Sequence, residues 1–202
     1  MRRSILAGFV ACLAPSLALA TVVTYNDRAT FDAAVPDATQ YAISGSFTDF
    51  SGSYTQGPAT FTSTTVNRFN DGFYGAGVAY LEFFPSQATV ILSPSAYSIG
   101  LTLGTFLGGT DIIDISVNAV PVTTVTSAGV APATLYVGFT DSDPITSLTL
   151  FDRTASSRID VLNFAISNTP GGGTSPVPEP ASLLMLGIGT VAMSALRRRQ
   201  AA

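Results

Sequence analysis

What most limits the folds open to this chain is the recurrence of short β-branched and aromatic runs between turn residues. Such runs occupy residues 21–25, 60–66, 78–84, 88–92, 97–103, 112–117, 122–126, 134–139, 145–151 and 159–166, and Gly, Pro, Asn, Asp and Ser separate them. Several alternate with period two, most clearly Ile99-Gly100-Leu101-Thr102-Leu103 and residues 145–151. That period sends one face into a core and the other into water. About ten strands at this spacing predict an all-β fold, a single β-sandwich of jelly-roll type. No internal repeat points to a solenoid or propeller. One short helix is expected at 27–34, with Asn26 or Asp27 as its N-cap.

The two ends have a different composition. Arg2 and Arg3 precede an apolar stretch at 5–17, and Ala18-Leu19-Ala20 offers the small residues that signal peptidase requires at the cleavage positions Ala18 and Ala20. Residues 1–20 are therefore expected to be a signal peptide. The paired arginines leave both the general secretory route and the twin-arginine route open. Cys12 falls inside the apolar stretch, too early for a lipidation site, and would leave with it. The domain is expected at 21–168, followed by a Gly/Pro/Ser/Thr linker at 169–176 that has nothing with which to build a core.

Residues 177–202 begin with Val177-Pro178-Glu179-Pro180, continue with an uncharged apolar run at 181–196, and end with Arg197, Arg198, Arg199 and three further residues. As a helix the run is about 24 Å long, somewhat short of a ~30 Å hydrocarbon core but able to span it with flanking residues snorkelling. Glu179 and Pro180 suit a helix start. The arginines suit a cytoplasmic stop-transfer end. This tail resembles the PEP-CTERM sorting signal of bacterial exported proteins. The resemblance implies recognition by an exosortase, a membrane enzyme that cuts near Pro-Glu-Pro, and transient residence in the inner membrane before release to the envelope or the exterior. The body resembles, more loosely, the galactose-binding or lectin-type jelly rolls that often precede such signals. The matching stretches are Tyr25-Asn26-Asp27-Arg28-Ala29-Thr30-Phe31-Asp32-Ala33-Ala34 at its start and Ile159-Asp160 with Asn163-Phe164 at its close.

Composition then narrows the chemistry. The chain has no histidine and a single cysteine, Cys12, so no Ser-His-Asp or Cys-His arrangement can be assembled and the common zinc ligands are missing. Residues 21–168 hold twelve acidic and four basic side chains, a net charge of −8. That balance argues against nucleic acid and anionic lipid as partners. Glu82 is the only glutamate in the body and, in an aromatic strand, reads as solvent-facing. The Gly-rich stretch 69–77 has no helix signal after it and reads as a loop rather than a phosphate cradle.

Catalytic residues are accordingly expected to be none, and so are cofactors. The one ion the aspartates allow is a structural calcium, at Asp111/Asp114, Asp141/Asp143 or Asp152/Asp160, the last pair being the candidate carried forward. Phe73 and Tyr74, with Tyr54 and Tyr80, are candidate sugar-stacking residues. Hydroxyl-rich stretches at 60–65 and 123–126 suggest a polar strand face, but no repeated register makes them the flat array that ice binding needs. The expectation is a non-enzymatic exported envelope or matrix protein in contact with exopolysaccharide. A self-associating surface subunit and a carboxylate-dependent hydrolase are the alternatives.

Overall fold

The computed structural model describes residues 22–105, 110–127, 132–154 and 158–170. The expected signal peptide at 1–20, most of the linker, the Pro-Glu-Pro segment, the apolar run at 181–196 and the arginine tail lie outside the described residues. Among the described residues no helix is long and apolar enough to cross a membrane.

The body is all-β with one helix, as the residue pattern predicts. Strands β1 (Val23–Tyr25), β2 (Thr39–Ala42), β3 (Thr48–Asp49), β4 (Ser53–Gln56), β5 (Ala59–Thr62), β6 (Thr65–Phe69) and β7 (Tyr80–Phe84) make up its first half. β8 (Gln87–Thr105), β9 (Ile112–Val117), β10 (Val120–Thr126), β11 (Ala133–Asp152) and β12 (Ile159–Ser167) follow. The main path runs β10-β9-β11-β8-β12-β7-β6-β3, with β1 beside β11, β2 beside β12, and the β4-β5 hairpin beside β8.

Two strands serve both layers of the sandwich. The first part of β8 pairs with β5 and with the second part of β11; its second part pairs with β12 and with the first part of β11. The β8–β11 ladder loses register between Thr140 and Ser147. Pro94 and Pro144 sit in that stretch, where a missing N–H donor breaks no regular ladder bond. The sequence pattern divides each of these long strands in two, because proline and polar residues interrupt the apolar runs.

Other differences follow the same logic. Residues 60–66 are two strands, β5 and β6, and the polar strands β2, β3 and β4 carry too little apolar periodicity to stand out. Alternation does hold where one face is buried: β9 shows a strict inward-outward pattern, with Ile113, Ile115 and Val117 in the core. Phe61 of β5 lies 5.9 Å from Phe83 of β7 and 5.2 Å from Phe164 of β12, ring centre to ring centre, and so joins the two layers. Each fully buried aromatic or aliphatic side chain in this interior contributes roughly 1.5–3 kcal/mol.

The helix α1 (Arg28–Ala34) begins where the sequence places it. Asp27 is the N-cap, accepting the Thr30 N–H at 2.8 Å and the Thr30 hydroxyl at 2.6 Å. Phe31, on its inner face, drops into a trough formed by the paired Gly100 and Gly138 and the adjacent Ala165. A Cβ on Gly138 would stand 2.4 Å from the Phe31 ring, so the ring occupies the space that a side chain would need. The same helix ties the opening stretch of the domain to its close. Arg28 donates to Asn163 Oδ1 at 3.3 Å, and Thr102 donates to the same oxygen at 2.8 Å.

Candidate functional site

Phe73 and Tyr74 lie on the loop at 70–79 between β6 and β7, which contains the expected Gly-rich turn. The Tyr74 hydroxyl donates to Asp160 Oδ2 of β12 at 2.6 Å, and its ring stands edge-on to Phe73 and Tyr80, each at 4.9 Å. Behind it is Gly104 of β8, whose Cβ, had it one, would meet the Tyr74 ring at 2.4 Å. Tyr80 in turn donates to Asp71 Oδ2 at 3.2 Å. The loop is thus fastened over the sheet by two tyrosine–aspartate contacts. Burial, and the carboxylates beside them, push both phenol groups upward, so neither ionises near neutrality.

Asp160 is 1% exposed and Glu82, opposite it on β7, is 5% exposed. Glu82 forms an ion pair with Arg158. The expected solvent-facing Glu82 is therefore corrected. Its face of β7 is roofed by the loop and by Arg158 rather than open to water. Burial pushes the Asp160 carboxyl up to about 7, with Asp111 and Asp71 adding in the same sense and the Tyr74 hydrogen bond and Arg158 opposing. Its Oδ1 is buried without a hydrogen-bond partner. Two facing carboxylates with one raised pKa have the chemical make-up of an acid–base pair, and in this fold both are buried.

The other aspartates serve local structure. Asp152 accepts the Thr154 N–H at 2.8 Å as well as the Thr154 hydroxyl, and that hydroxyl lies 3.3 Å from Asp111 Oδ1. Asp141 accepts the Asp143 N–H at 3.1 Å within β11, in the stretch where its ladder to β8 loses register. Asp114 accepts from Thr124 at 2.7 Å and pairs with Arg153; these contacts, Thr124 first, hold its carboxyl below the usual range. The structure brings Asp111 near both Asp152 and Asp160. Among the described residues, no three His, Cys, Asp or Glu side chains are placed to hold a metal ion.

Away from this cluster, the outer face of the β5-β8-β11-β9-β10 layer carries two open clefts that share Phe151. One, of about 510 Å³, lies over β9 and β10 and is lined by Asp114, Ser116, Pro121, Thr124 and Arg153 among others. The second, of about 320 Å³, is lined by Thr62, Ser63, Pro85, Gln87 and Thr89. Phe151 is 45% exposed. In the sequence Phe151 is one more strand aromatic at the end of the 145–151 run. The phase of 145–151 carries the signal: Leu148 and Leu150 point inward, so Phe151 must point out.

Comparison with known proteins locates one motif and a set of distant shapes. Residues 176–199 match the PEP-CTERM protein-sorting motif, and the chain carries that motif at the place where the sequence reading puts it. No curated protein matches the sequence. Among solved structures, the chain is similar to a family 6 carbohydrate-binding module from Clostridium stercorarium in complex with cellobiose, at 10% identity and a TM-score of 0.35, over 61% of this chain and 94% of that one. It is also similar to a family 35 carbohydrate-binding module from Paenibacillus barcinonensis, at 15% identity and a TM-score of 0.27, over 64% of this chain and 98% of the module. A third similarity is to the catalytic unit of an α-1,3-glucanase from Streptomyces thermodiastaticus, at 15% identity and a TM-score of 0.26, over 74% of this chain and 26% of that one.

Proposed function

We propose that this chain is an exported, non-enzymatic passenger, held briefly in the inner membrane by residues 177–202. An exosortase then cuts it near Pro178-Glu179-Pro180 and delivers it to the cell envelope or the extracellular matrix. The observation that carries this reading is the sorting motif at 176–199. Signal peptidase acts at the other end, after Ala20. The β-sandwich is the cargo, and exopolysaccharide is its contact in the matrix. A non-enzymatic role is supported by the chemistry of the body. It has no histidine and no cysteine, and its facing carboxylates, Asp160 and Glu82, are closed off from solvent.

The test is a Glu179→Ala chain expressed in a host with the matching exosortase, followed by fractionation and immunoblotting. The expected result is an uncut precursor retained with the membrane, whereas the wild-type body is released. Release of the variant at the wild-type rate would overturn the sorting reading.

A further inference from the structure

We infer that the outer face of the β5-β8-β11-β9-β10 layer, centred on Phe151, is the surface on which this domain docks a neutral, linear polysaccharide. The inference rests on the polysaccharide contact proposed above and specifies where that contact lies and what charge its ligand carries.

Strand register arranges hydroxyl groups on this face in a row. Ser53 of β4 is opposite Thr62 of β5, Thr62 is opposite Thr89 of β8, Thr89 is opposite Thr149 of β11, and Thr149 is opposite Ser116 of β9. The alternate residues Phe61, Val90, Leu150 and Ile115 are buried and Tyr54 packs against the core, which sends every member of the row to the outside. Five strands at ~4.8 Å spacing make this row roughly 19 Å long, running across the strands. Sequence inspection finds only scattered Ser/Thr clusters, because the members of the row lie on five strands that are far apart in the chain.

A neighbouring row reads Gln87, Phe151, Asp114, Thr124. It puts the exposed Phe151 ring where the two clefts meet, so a polymer lying along the hydroxyl row runs beside an exposed aromatic ring. Sugar C–H groups stack on such a ring while hydroxyls along the strand exchange hydrogen bonds with the row. The two clefts give the polymer an open trough to enter sideways, without threading an end.

Charge selects among polymers. Asp114 and Arg153 are the charged residues lining these clefts, and they pair with each other. The face is neutral on a body of net charge −8. A polyanion is repelled by the whole body and finds no unpaired cation here, whereas a neutral glycan meets neither obstacle. Twist selects shape. Successive strands rotate by about 20–25°, so the row winds across the face. A flexible chain can follow it, and a flat crystalline lattice cannot.

The test is affinity electrophoresis of the full-length chain in a sugar-free polyoxyethylene detergent, through gels containing dextran, pullulan, mixed-linkage β-glucan or alginate. At least one neutral polymer should retard the wild type, and alginate should not. Phe151→Ala should weaken that retardation at least fivefold, as should the shape-conserving pair Thr89→Val and Thr149→Val, while Phe73→Ala on the loop between β6 and β7, which lines neither cleft, should leave it intact. Retardation by a neutral polymer that survives Phe151→Ala, or that is lost in Phe73→Ala instead, overturns this site but leaves the polysaccharide reading standing. A wild type that no neutral polymer retards overturns both. Wild-type dimers that Phe151→Ala converts to monomers in sedimentation velocity would assign the face to a second copy of the chain and also overturn the docking inference.

Discussion

Replacing Asp160 by asparagine gives a direct reading of how this fold responds to pH. The chain has no histidine, so the side chain that ordinarily titrates between pH 5 and 8 is missing and the buried carboxyl takes that place. In the unfolded chain Asp160 ionises near 3.8; in the fold, burial moves it to about 7. Between those values the folded protein holds a proton that the unfolded chain has released. The stability this contributes is complete below about pH 3.8 and is lost as pH rises to about 7, at roughly 1.4 kcal/mol per pH unit. Raising pH from 5 to 8 therefore costs on the order of 3 kcal/mol, and a domain of this size should melt roughly 6–12 °C lower. Asp160→Asn has no charge to lose and keeps an acceptor for Tyr74, so its melting temperature should stay nearly flat over the same range. Asp27, Asp37 and Asp114 act in the opposite sense, but only below their ordinary carboxylate range, because hydrogen bonds led by Thr30, Thr169 and Thr124 hold them down. The assay is a series of circular-dichroism melts of the full-length chain and the variant, in non-ionic detergent, from pH 5 to 8. A wild-type melting temperature that does not fall, or a variant that falls in parallel with it, refutes the reasoning.

Two further outcomes probe local structure. Phe31→Ala empties the trough over Gly100 and Gly138 and should destabilise the domain by about 3–5 kcal/mol in denaturant unfolding; a loss under 1 kcal/mol would mean that α1 is dispensable to the core. Ala119 sits at φ 65° in the two-residue turn between β9 and β10, beside Asn118 at φ 49°, a conformation that costs an alanine roughly 1–2 kcal/mol. Ala119→Gly should therefore stabilise by about 1 kcal/mol, and a destabilised variant would show that the turn is not strained at that residue.

Much of the architecture was legible because it depends on local chemistry. An N-cap at Asn26 or Asp27, the period-two alternation of 99–103 and the loop reading of the Gly-rich stretch 69–77 each follow from a few neighbouring residues. Long-range accommodation was not legible. Pro94 and Pro144 look like strand ends, yet they mark the places where β8 and β11 cross between layers. Glu82 alternates with Leu81 and Phe83 as a solvent-facing residue would, and only the fold brings Arg158 and the loop over it. The joining of Arg28 to Asn163, and of Tyr74 to Asp160, spans most of the domain and leaves no mark on spacing. The sorting motif is a contiguous string, which is why it could be read directly, whereas the hydroxyl row on the outer face exists only once five strands are in register.

The position of β12 bears on how the domain withstands tension. It is hydrogen-bonded along both edges, to β8 on one side and to β7 and β2 on the other, and the sorting motif begins at residue 176, nine positions after its end at Ser167. A pull on the C-terminal end of β12 along its own axis loads both ladders together in shear, rather than peeling an outer strand one bond at a time. The body is thus held at an inner stave, and tension at that end meets a strand paired on both sides rather than a loose edge.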